Sequence, residues 1–111
     1  MNITRYCFTC DLKQDEVLIA EYKEQHQKVW PEIIASIKEA GIVDMQIYLS
    51  GNRMFMIMEC DETFDPVQRA KKDANNPKVQ EWEQLMWKYQ QAIPWAKPGE
   101  KWIEMEKIFQ L

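Results

Sequence analysis

The chain has 111 residues, enough for a single domain (1–111) with a buried core, and its 46% hydrophobic and 29% charged residues are typical of soluble globular proteins. A formal net charge of -4 and the lack of a basic run argue against nucleic acid as a partner. No window is long and apolar enough to span a bilayer, and no basic start precedes an apolar leader, so we expect no membrane partner and a cytoplasmic location.

Cysteine use argues against both disulfides and a metal centre. Cys7, Cys10 and Cys60 make an odd number, which is unusual for a secreted disulfide framework. Cys7 and Cys10 have the spacing of a metal or redox motif, but residues three apart in a strand face opposite sides of the sheet. Since the chain has one histidine and no second cysteine pair, we expect packed, reduced thiols and no metal ion.

The N-terminal third predicts a strand followed by a broken helix. Residues 2–11 alternate between two faces, the period of a strand. Over residues 14–40 the apolar positions recur at steps of three and four, which indicates an amphipathic helix that ends at Gly41. Pro31 cannot donate the helical hydrogen bond, so we expect a kink or a new start there, with Pro31 as the first residue of a second helical piece.

The middle of the chain predicts a β-hairpin. Residues 42–49 alternate again, residues 50–52 favour a turn, and residues 53–60 are a nearly continuous apolar run. A run without alternation indicates a strand covered on both faces. Residues 61–76 are polar, and we expect them to combine a loop with a short helix over 67–74.

The C-terminal part predicts one more helix and one more strand. Helical spacing continues from Pro77 to Ile93, a rigid loop follows over 94–99, and residues 102–111 read as a strand. The order is therefore βαββαβ, the ferredoxin-like pattern of an antiparallel sheet with two helices on one face. Because the uncovered face is apolar in the first and third strands, we expect a symmetric homodimer whose sheets face each other or close as a barrel.

The strongest chemical lead is the pair Tyr22 and His26. Positions four apart lie on one helical face, and this face carries the apolar stripe that should pack against the core. His26 is the only histidine, and imidazole titrates near neutral pH, which suits it to proton transfer. The competing interpretations are a hydrogen-bonded core histidine and a half-buried helix tyrosine.

Four segments of the sequence share a pattern with a known family. They are Glu21-Tyr22-x3-His26-x3-Trp30-Pro31-Glu32, Ile47-Tyr48-Leu49, the methionine-rich third strand ending in Glu59, and Gln80-x-Trp82. With this pattern the chain resembles the L-rhamnose mutarotase family over essentially its whole length. Within that family, the segments 75–82 and 97–102 are similar to the branch described as L-fucose mutarotases.

The resemblance implies a dimeric α+β barrel that interconverts the α and β anomers of a 6-deoxy sugar, L-fucose or L-rhamnose, without a cofactor. It implies that His26 is the proton donor and that Tyr22 and Trp82 contact this monosaccharide. Opening the ring requires a proton drawn from the anomeric hydroxyl and one delivered to the ring oxygen, and a group that titrates near neutrality favours both transfers. Trp82 suits the apolar face of a deoxy sugar, although packing alone would also explain it.

Two positions depart from the family pattern, and both concern contacts with the sugar. Where rhamnose enzymes have a second sugar-contacting tyrosine, three residues before the one matched by Tyr48, this chain has Met45. Where they have a second tryptophan beside the one matched by Trp82, this chain has Glu83. These departures keep the acid/base groups in place and leave open which sugar is preferred.

Further site candidates lie at a strand end and in the tryptophan-rich C-terminal part. Glu59 ends the third strand and is a candidate for the second acid/base group or for orienting His26; the alternative is a solvated carboxylate. Tyr48 and the region of Trp95 and Trp102 are candidates for lining the pocket.

Two other functions fit the same architecture. A small monooxygenase of the antibiotic-biosynthesis or haem-degrading type shares the dimeric barrel, and it would bind haem or consume oxygen. In a non-catalytic barrel that binds a small ligand, His26 would serve packing alone. Sugar binding without anomer exchange would favour that last interpretation.

Overall fold

The computed structural model describes residues 2–111, which form an α+β fold with an antiparallel sheet. In chain order the elements are β1 (Thr4–Leu12), α1 (Glu16–Gln25), α2 (Pro31–Glu39), β2 (Ile42–Ser50), β3 (Arg53–Cys60), α3 (Pro66–Ala74), α4 (Pro77–Trp87), β4 (Gln90–Gln91) and β5 (Ile103–Glu104). No helix within residues 2–111 has the length and apolar character needed to cross a membrane.

The sheet is centred on β1 and β3. Its order is β2-β3-β1-β4, and β5 pairs with another part of β1. β4 pairs with Asp11 and Leu12 at the end of β1, while β5 pairs with Phe8 and Thr9 nearer its middle. All of these pairings are antiparallel, so the predicted α+β class and ferredoxin-like order are confirmed.

One face of the sheet carries the helices and the core. Alternation places the even-numbered residues of β1 and β3 on this face, and Cys10, Met54 and Met58 among them are at most 2% exposed. Helices α1, α2 and α4 cover this face with the buried residues Tyr22, Ile33, Val79, Trp82 and Met86. Burying a large apolar side chain stabilises the fold by about 1.5–3 kcal/mol, so this layer holds the helices in place.

Local sequence signals set the helix boundaries. Asp15, Asp65 and Asn76 accept hydrogen bonds from backbone amides in the first turns of α1, α3 and α4. Pro31 is the first residue of α2, which confirms the predicted restart. Gly41 follows α2 with a φ of 91°, the left-handed conformation that commonly ends a helix.

Two predicted elements near the C-terminus differ from the structure. Helix α4 ends at Trp87 rather than Ile93, because the chain leaves the helix to form β4 beside β1. The strand predicted over 102–111 is reduced to the two residues of β5. Beyond the β5 pairing, residues 106–111 have no strand partner within the described chain and are exposed.

The face of the sheet opposite the helices is partly apolar. Cys7, Phe55 and Ile57 lie on it and are half-buried, and Tyr48 beside them is exposed.

Candidate active site

A cavity of about 660 Å³ lies between the helices and the helix-bearing face of the sheet. This volume is within the roughly 300–1,000 Å³ of ligand pockets in proteins. Among the predicted site residues, those that line it are Tyr22, His26, Met45, Trp82, Glu83 and Trp102. The fold therefore brings α1, β2, α4 and the C-terminal segment to one site.

His26 lies at the C-terminal end of α1, before the chain restarts as α2. Its backbone N–H donates to the Tyr22 carbonyl oxygen at 3.2 Å, and its ring Nδ1 lies 3.0 Å from the same oxygen. A carbonyl oxygen can only accept, so Nδ1 carries the proton in the neutral ring. Nε2 is then the atom with the lone pair, and it is free to accept a proton.

The surroundings of His26 keep its imidazole neutral near pH 7. Burial lowers the pKa of His26 below its ordinary value of 6.5, because the charged ring would lose hydration, and the hydrogen bond to the Tyr22 carbonyl opposes this only in part. A neutral imidazole with a free Nε2 is a general base at physiological pH.

Two aromatic side chains pack around the imidazole. The Tyr22 ring stacks on it with ring centroids 4.2 Å apart and an interplanar angle of 29°. Trp82 meets it edge-on at 5.7 Å, and Trp30 in turn packs edge-on against Trp82 at 5.1 Å. The phenol, imidazole and indole singled out in the sequence thus form one wall of the cavity.

The Tyr22 hydroxyl is held by the side chain of Gln90. Gln90 Nε2 donates to the hydroxyl oxygen at 3.0 Å. Burial raises the pKa of Tyr22 above its ordinary value of 10.0, while the hydrogen bond from Gln90 lowers it. The phenol therefore stays protonated, and its own hydrogen is available to a ligand.

A charged pair also borders the cavity. Lys101 Nζ donates to the Glu83 carboxylate at 2.5 Å, and the Lys101 side chain is only 11% exposed. Nζ lies 5.1 Å from the ring centroid of Trp87, within range of a cation–π contact. At the position where the family pattern has a second tryptophan, this chain thus carries an ion pair.

The structure does not place Glu59 beside His26. Met58 faces the helices and the cavity, so Glu59, the next residue of β3, points to the opposite face of the sheet. There its carboxylate accepts a hydrogen bond from Arg5 at 3.1 Å. The sheet therefore separates Glu59 from His26 and from the cavity.

Tyr48 and Trp95 also lie outside the cavity. Tyr48 is 57% exposed on the face opposite the helices, and its hydroxyl donates to Gln46 Oε1 at 3.0 Å. Trp95 is 62% exposed, with the Arg53 guanidinium 5.0 Å from its ring centroid. Of the C-terminal tryptophans proposed for the pocket, the structure places Trp102 there and not Trp95.

Two cavity residues, Gln90 and Lys101, are absent from the residues singled out in the sequence. The helical periodicity predicts a helix that runs to Ile93, so Gln90 is expected inside it, next to Tyr89 of the apolar stripe. The sequence gives no direct signal that Gln90 lines the cavity. Nothing in the spacing of the sequence pairs Lys101 with Glu83.

The described residues contain no group of three or more histidine, cysteine, aspartate or glutamate side chains placed to hold a metal ion. What the cavity does offer is a neutral imidazole, a protonated phenol, a buried amide and an indole face. These groups can transfer a proton and bind an uncharged ligand that is rich in hydroxyls.

Comparison with known proteins covers nearly all of the chain. The family described as L-rhamnose mutarotase matches residues 5–111. An L-fucose mutarotase from Xanthomonas campestris is 45% identical over 113 residues, which cover 100% of this chain and 90% of that protein. An L-rhamnose mutarotase from Flavobacterium johnsoniae is 28% identical over 114 residues, which cover 99% of this chain and 97% of that protein.

A solved structure gives the same result at the level of the fold. The crystal structure of an L-rhamnose mutarotase from Formosa agariphila has a TM-score of 0.72 and 25% sequence identity, covering 97% of this chain and 98% of that one. The sequence and fold comparisons both cover nearly the whole chain. The chain belongs to the L-rhamnose mutarotase family of isomerases.

Proposed function

We propose that this protein interconverts the α and β anomers of a 6-deoxy sugar, L-fucose or L-rhamnose, by opening and reclosing the sugar ring. The observation that carries the proposal is the packing of the His26 imidazole against Tyr22 and Trp82 at the wall of a cavity. The relatives named L-fucose mutarotase and L-rhamnose mutarotase support the choice of sugar, and the 45% identity with the former favours L-fucose.

In the proposed reaction His26 carries a proton between two oxygens of the sugar. Nε2 takes the proton of the anomeric hydroxyl, the bond from the anomeric carbon to the ring oxygen breaks, and the ring oxygen keeps the electron pair. The imidazolium then gives the proton to that oxygen, so the open-chain aldehyde and the neutral imidazole result. Because both oxygens are bonded to the same carbon, one imidazole can serve both; rotation of the aldehyde and the reverse steps give the other anomer.

Tyr22 and Trp82 have binding roles in this proposal. The raised pKa of Tyr22 keeps its hydroxyl protonated, so it donates a hydrogen bond to a sugar oxygen and does not act as a base. The indole of Trp82 covers the apolar face and methyl group that a 6-deoxy sugar presents. Holding the sugar against His26 contributes to the rate in addition to the proton transfer itself.

Saturation-transfer NMR between the anomeric protons of L-fucose and of L-rhamnose tests the proposal. We expect the folded protein to accelerate exchange for at least one sugar, and His26→Ala to lower the rate by roughly two to four powers of ten. The matched control is Gln27→Ala, an exposed neighbour that should keep the wild-type rate.

Three outcomes would contradict the assignment. Exchange at the uncatalysed rate for both sugars, with sugar binding intact, would favour a non-catalytic binding barrel. A visible absorption band on titration with haem, or oxygen consumption, would favour the monooxygenase. A full rate in the His26→Ala variant would remove the imidazole from the mechanism.

We further propose that two copies pair through the sheet faces that carry no helix. The half-buried Cys7, Phe55 and Ile57 support this, because a second copy offers the same apolar surface in twofold symmetry. Sedimentation equilibrium should give a dimer, and Ile57→Lys should give a folded monomer. Val67→Lys, at an exposed apolar residue of α3, is the control that should leave the dimer intact.

A further inference from the structure

Gln90 is a buried polar residue whose hydrogen bonding is incomplete. It lies in β4 beside Leu12, it is 2% exposed, and it lines the same cavity as His26. Its Nε2 donates to the Tyr22 hydroxyl, but its Oε1 is buried without a hydrogen-bond partner among the described residues. Gln90 thus lines the cavity and carries a buried acceptor, Oε1, that has no partner.

An unpaired buried acceptor is unfavourable, because it has lost its contact with water and gained nothing in return. Turning the amide end for end would exchange the two atoms at Tyr22, and it would still leave one polar atom of Gln90 without a partner. The orientation in the structure, with Nε2 at the Tyr22 hydroxyl, makes the unpaired atom the acceptor Oε1. A ligand hydroxyl that reaches Oε1 from the cavity would complete the hydrogen bonding of Gln90.

The other polar side chains considered at the cavity differ from Gln90 in their hydrogen bonding. Glu83 and Lys101 satisfy each other through their ion pair, and His26 Nδ1 is occupied by the Tyr22 carbonyl. The side chain of Gln90 is uncharged, so it suits an uncharged donor such as a hydroxyl better than an ion. Among the side chains of residues 2–111, Gln90 Oε1 is the nitrogen or oxygen atom that is both buried and without a hydrogen-bond partner.

We propose that Gln90 is a substrate-binding residue whose Oε1 accepts a hydrogen bond from a ring hydroxyl of the bound sugar. The inference rests on the proposed function for the class of ligand. The Tyr22 hydroxyl donates and Gln90 Oε1 accepts, so together they match a hydroxyl, which does both. Gln90 thereby fixes the rotation of the sugar above His26 as well as the position of Tyr22.

A cycle between protein and substrate variants tests this contact. Gln90→Met keeps the length and volume of the side chain but lacks the acceptor, and we expect KM to rise about 3- to 10-fold, as for one lost hydrogen bond. Analogues of the preferred sugar that each lack one ring hydroxyl are then compared. With the wild type, one analogue should have a KM higher than that of the parent sugar by about the same factor. With Gln90→Met, that analogue and the parent sugar should have the same KM. A purely structural role would leave Gln90→Met as selective against every analogue as the wild type, which would overturn the proposal.

Gln91→Met is the matched control, because Gln91 follows Gln90 in the same strand and does not line the cavity. It should keep the wild-type KM and the wild-type response to each analogue. If Gln91→Met raises KM as much as Gln90→Met, the rise in KM results from a change in β4 and not from a lost contact with the sugar, and the proposal fails.

NMR of the wild-type side-chain amides gives a readout that needs neither a variant nor catalysis. On titration with the sugar, the ¹⁵N-amide signals of Gln90 should shift, and those of Gln91 should not. Absence of a shift at saturating sugar would overturn the role of Gln90 even if exchange is fast. Shifts without exchange would instead support the contact and contradict the proposed catalytic function.

Discussion

His26 Nδ1 lies 3.0 Å from the backbone carbonyl oxygen of Tyr22, the residue whose phenol ring stacks on the imidazole at 4.2 Å. One residue therefore sets both the tautomer of the histidine and the plane of its ring. Since the two positions are one helical turn apart, the arrangement is local to the end of α1. The rest of the fold has only to provide burial and a sugar-sized space in front of Nε2.

The pH dependence of exchange should follow His26. Burial lowers its pKa below 6.5, so the neutral base predominates above the lowered pKa and disappears as the pH falls through it. We expect kcat/KM to be flat between pH 7 and 8 and to decline with a single inflection below 6.5. The profile measured by saturation transfer checks this, and the residual rate of His26→Gln should lack the inflection. An inflection above 6.5 would mean that burial does not control the group.

Tyr22→Phe should destabilise the fold and slow exchange. It removes the acceptor of the Gln90 amide but keeps the ring, and a buried donor left without a partner costs about 1–3 kcal/mol. Urea denaturation followed by circular dichroism measures the change. The control is Val67→Ala, at an exposed side chain of α3, for which we expect a change within about 0.5 kcal/mol. Equal stability of the two variants would show that the bond to Gln90 contributes nothing.

The sequence predicts the helical half of the site well because its spacing is local. Tyr22 and His26 lie four positions apart on one apolar stripe, at the end of α1. Pro31 marks the place where the chain begins the next helix, α2. That Trp82 also meets His26 depends on how α4 crosses α1, which the apolar periodicity indicates only in outline. The family resemblance implied that Trp82 contacts the sugar, and the structure adds its contact with His26.

The strand residues were harder to place because the third strand is apolar on both faces. Met58 and Ile57 are equally apolar, so the pattern does not show which of them faces the helices, and Glu59 is left ambiguous. In the structure the even-numbered residues face the core, which moves Glu59 to the other side of the sheet.

The end of α4 is a case in which long-range pairing overrides local preference. Helical spacing runs on to Ile93, yet Gln90 and Gln91 pair with β1, and the Tyr89 carbonyl accepts from the Lys13 amide at 2.8 Å. Glutamine is a good helix former, so no local signal stops the helix at Trp87. For the same reason the cavity role of Gln90 becomes visible only in three dimensions.

Gly41→Ala should destabilise the protein far more than Gly51→Ala. Both glycines have positive φ, 91° and 59°, but a Cβ on Gly41 would lie 2.5 Å from Thr63 Oγ1 and 3.0 Å from the Phe64 nitrogen. A Cβ on Gly51 would meet nothing within 4 Å. We expect a loss of roughly 2–4 kcal/mol at Gly41, where strain and a clash combine, against about 1–2 kcal/mol at Gly51. Urea midpoints check this, and similar losses for both variants would remove the close packing against Thr63 as a factor.

Met45→Tyr should shift sugar preference toward L-rhamnose. Met45 lines the cavity from β2, and methionine offers no hydroxyl where the rhamnose enzymes resembled by this chain have a sugar-contacting tyrosine. One added hydrogen bond should raise the ratio of kcat/KM for L-rhamnose to that for L-fucose about 3- to 10-fold. Saturation transfer with both sugars measures the ratio. The control is Val67→Tyr, which places the same side chain at an exposed residue of α3 outside the cavity and should leave the ratio unchanged. If both variants leave it unchanged, position 45 does not read the sugar, and the preference must come from other groups at the cavity such as Glu83 with Lys101.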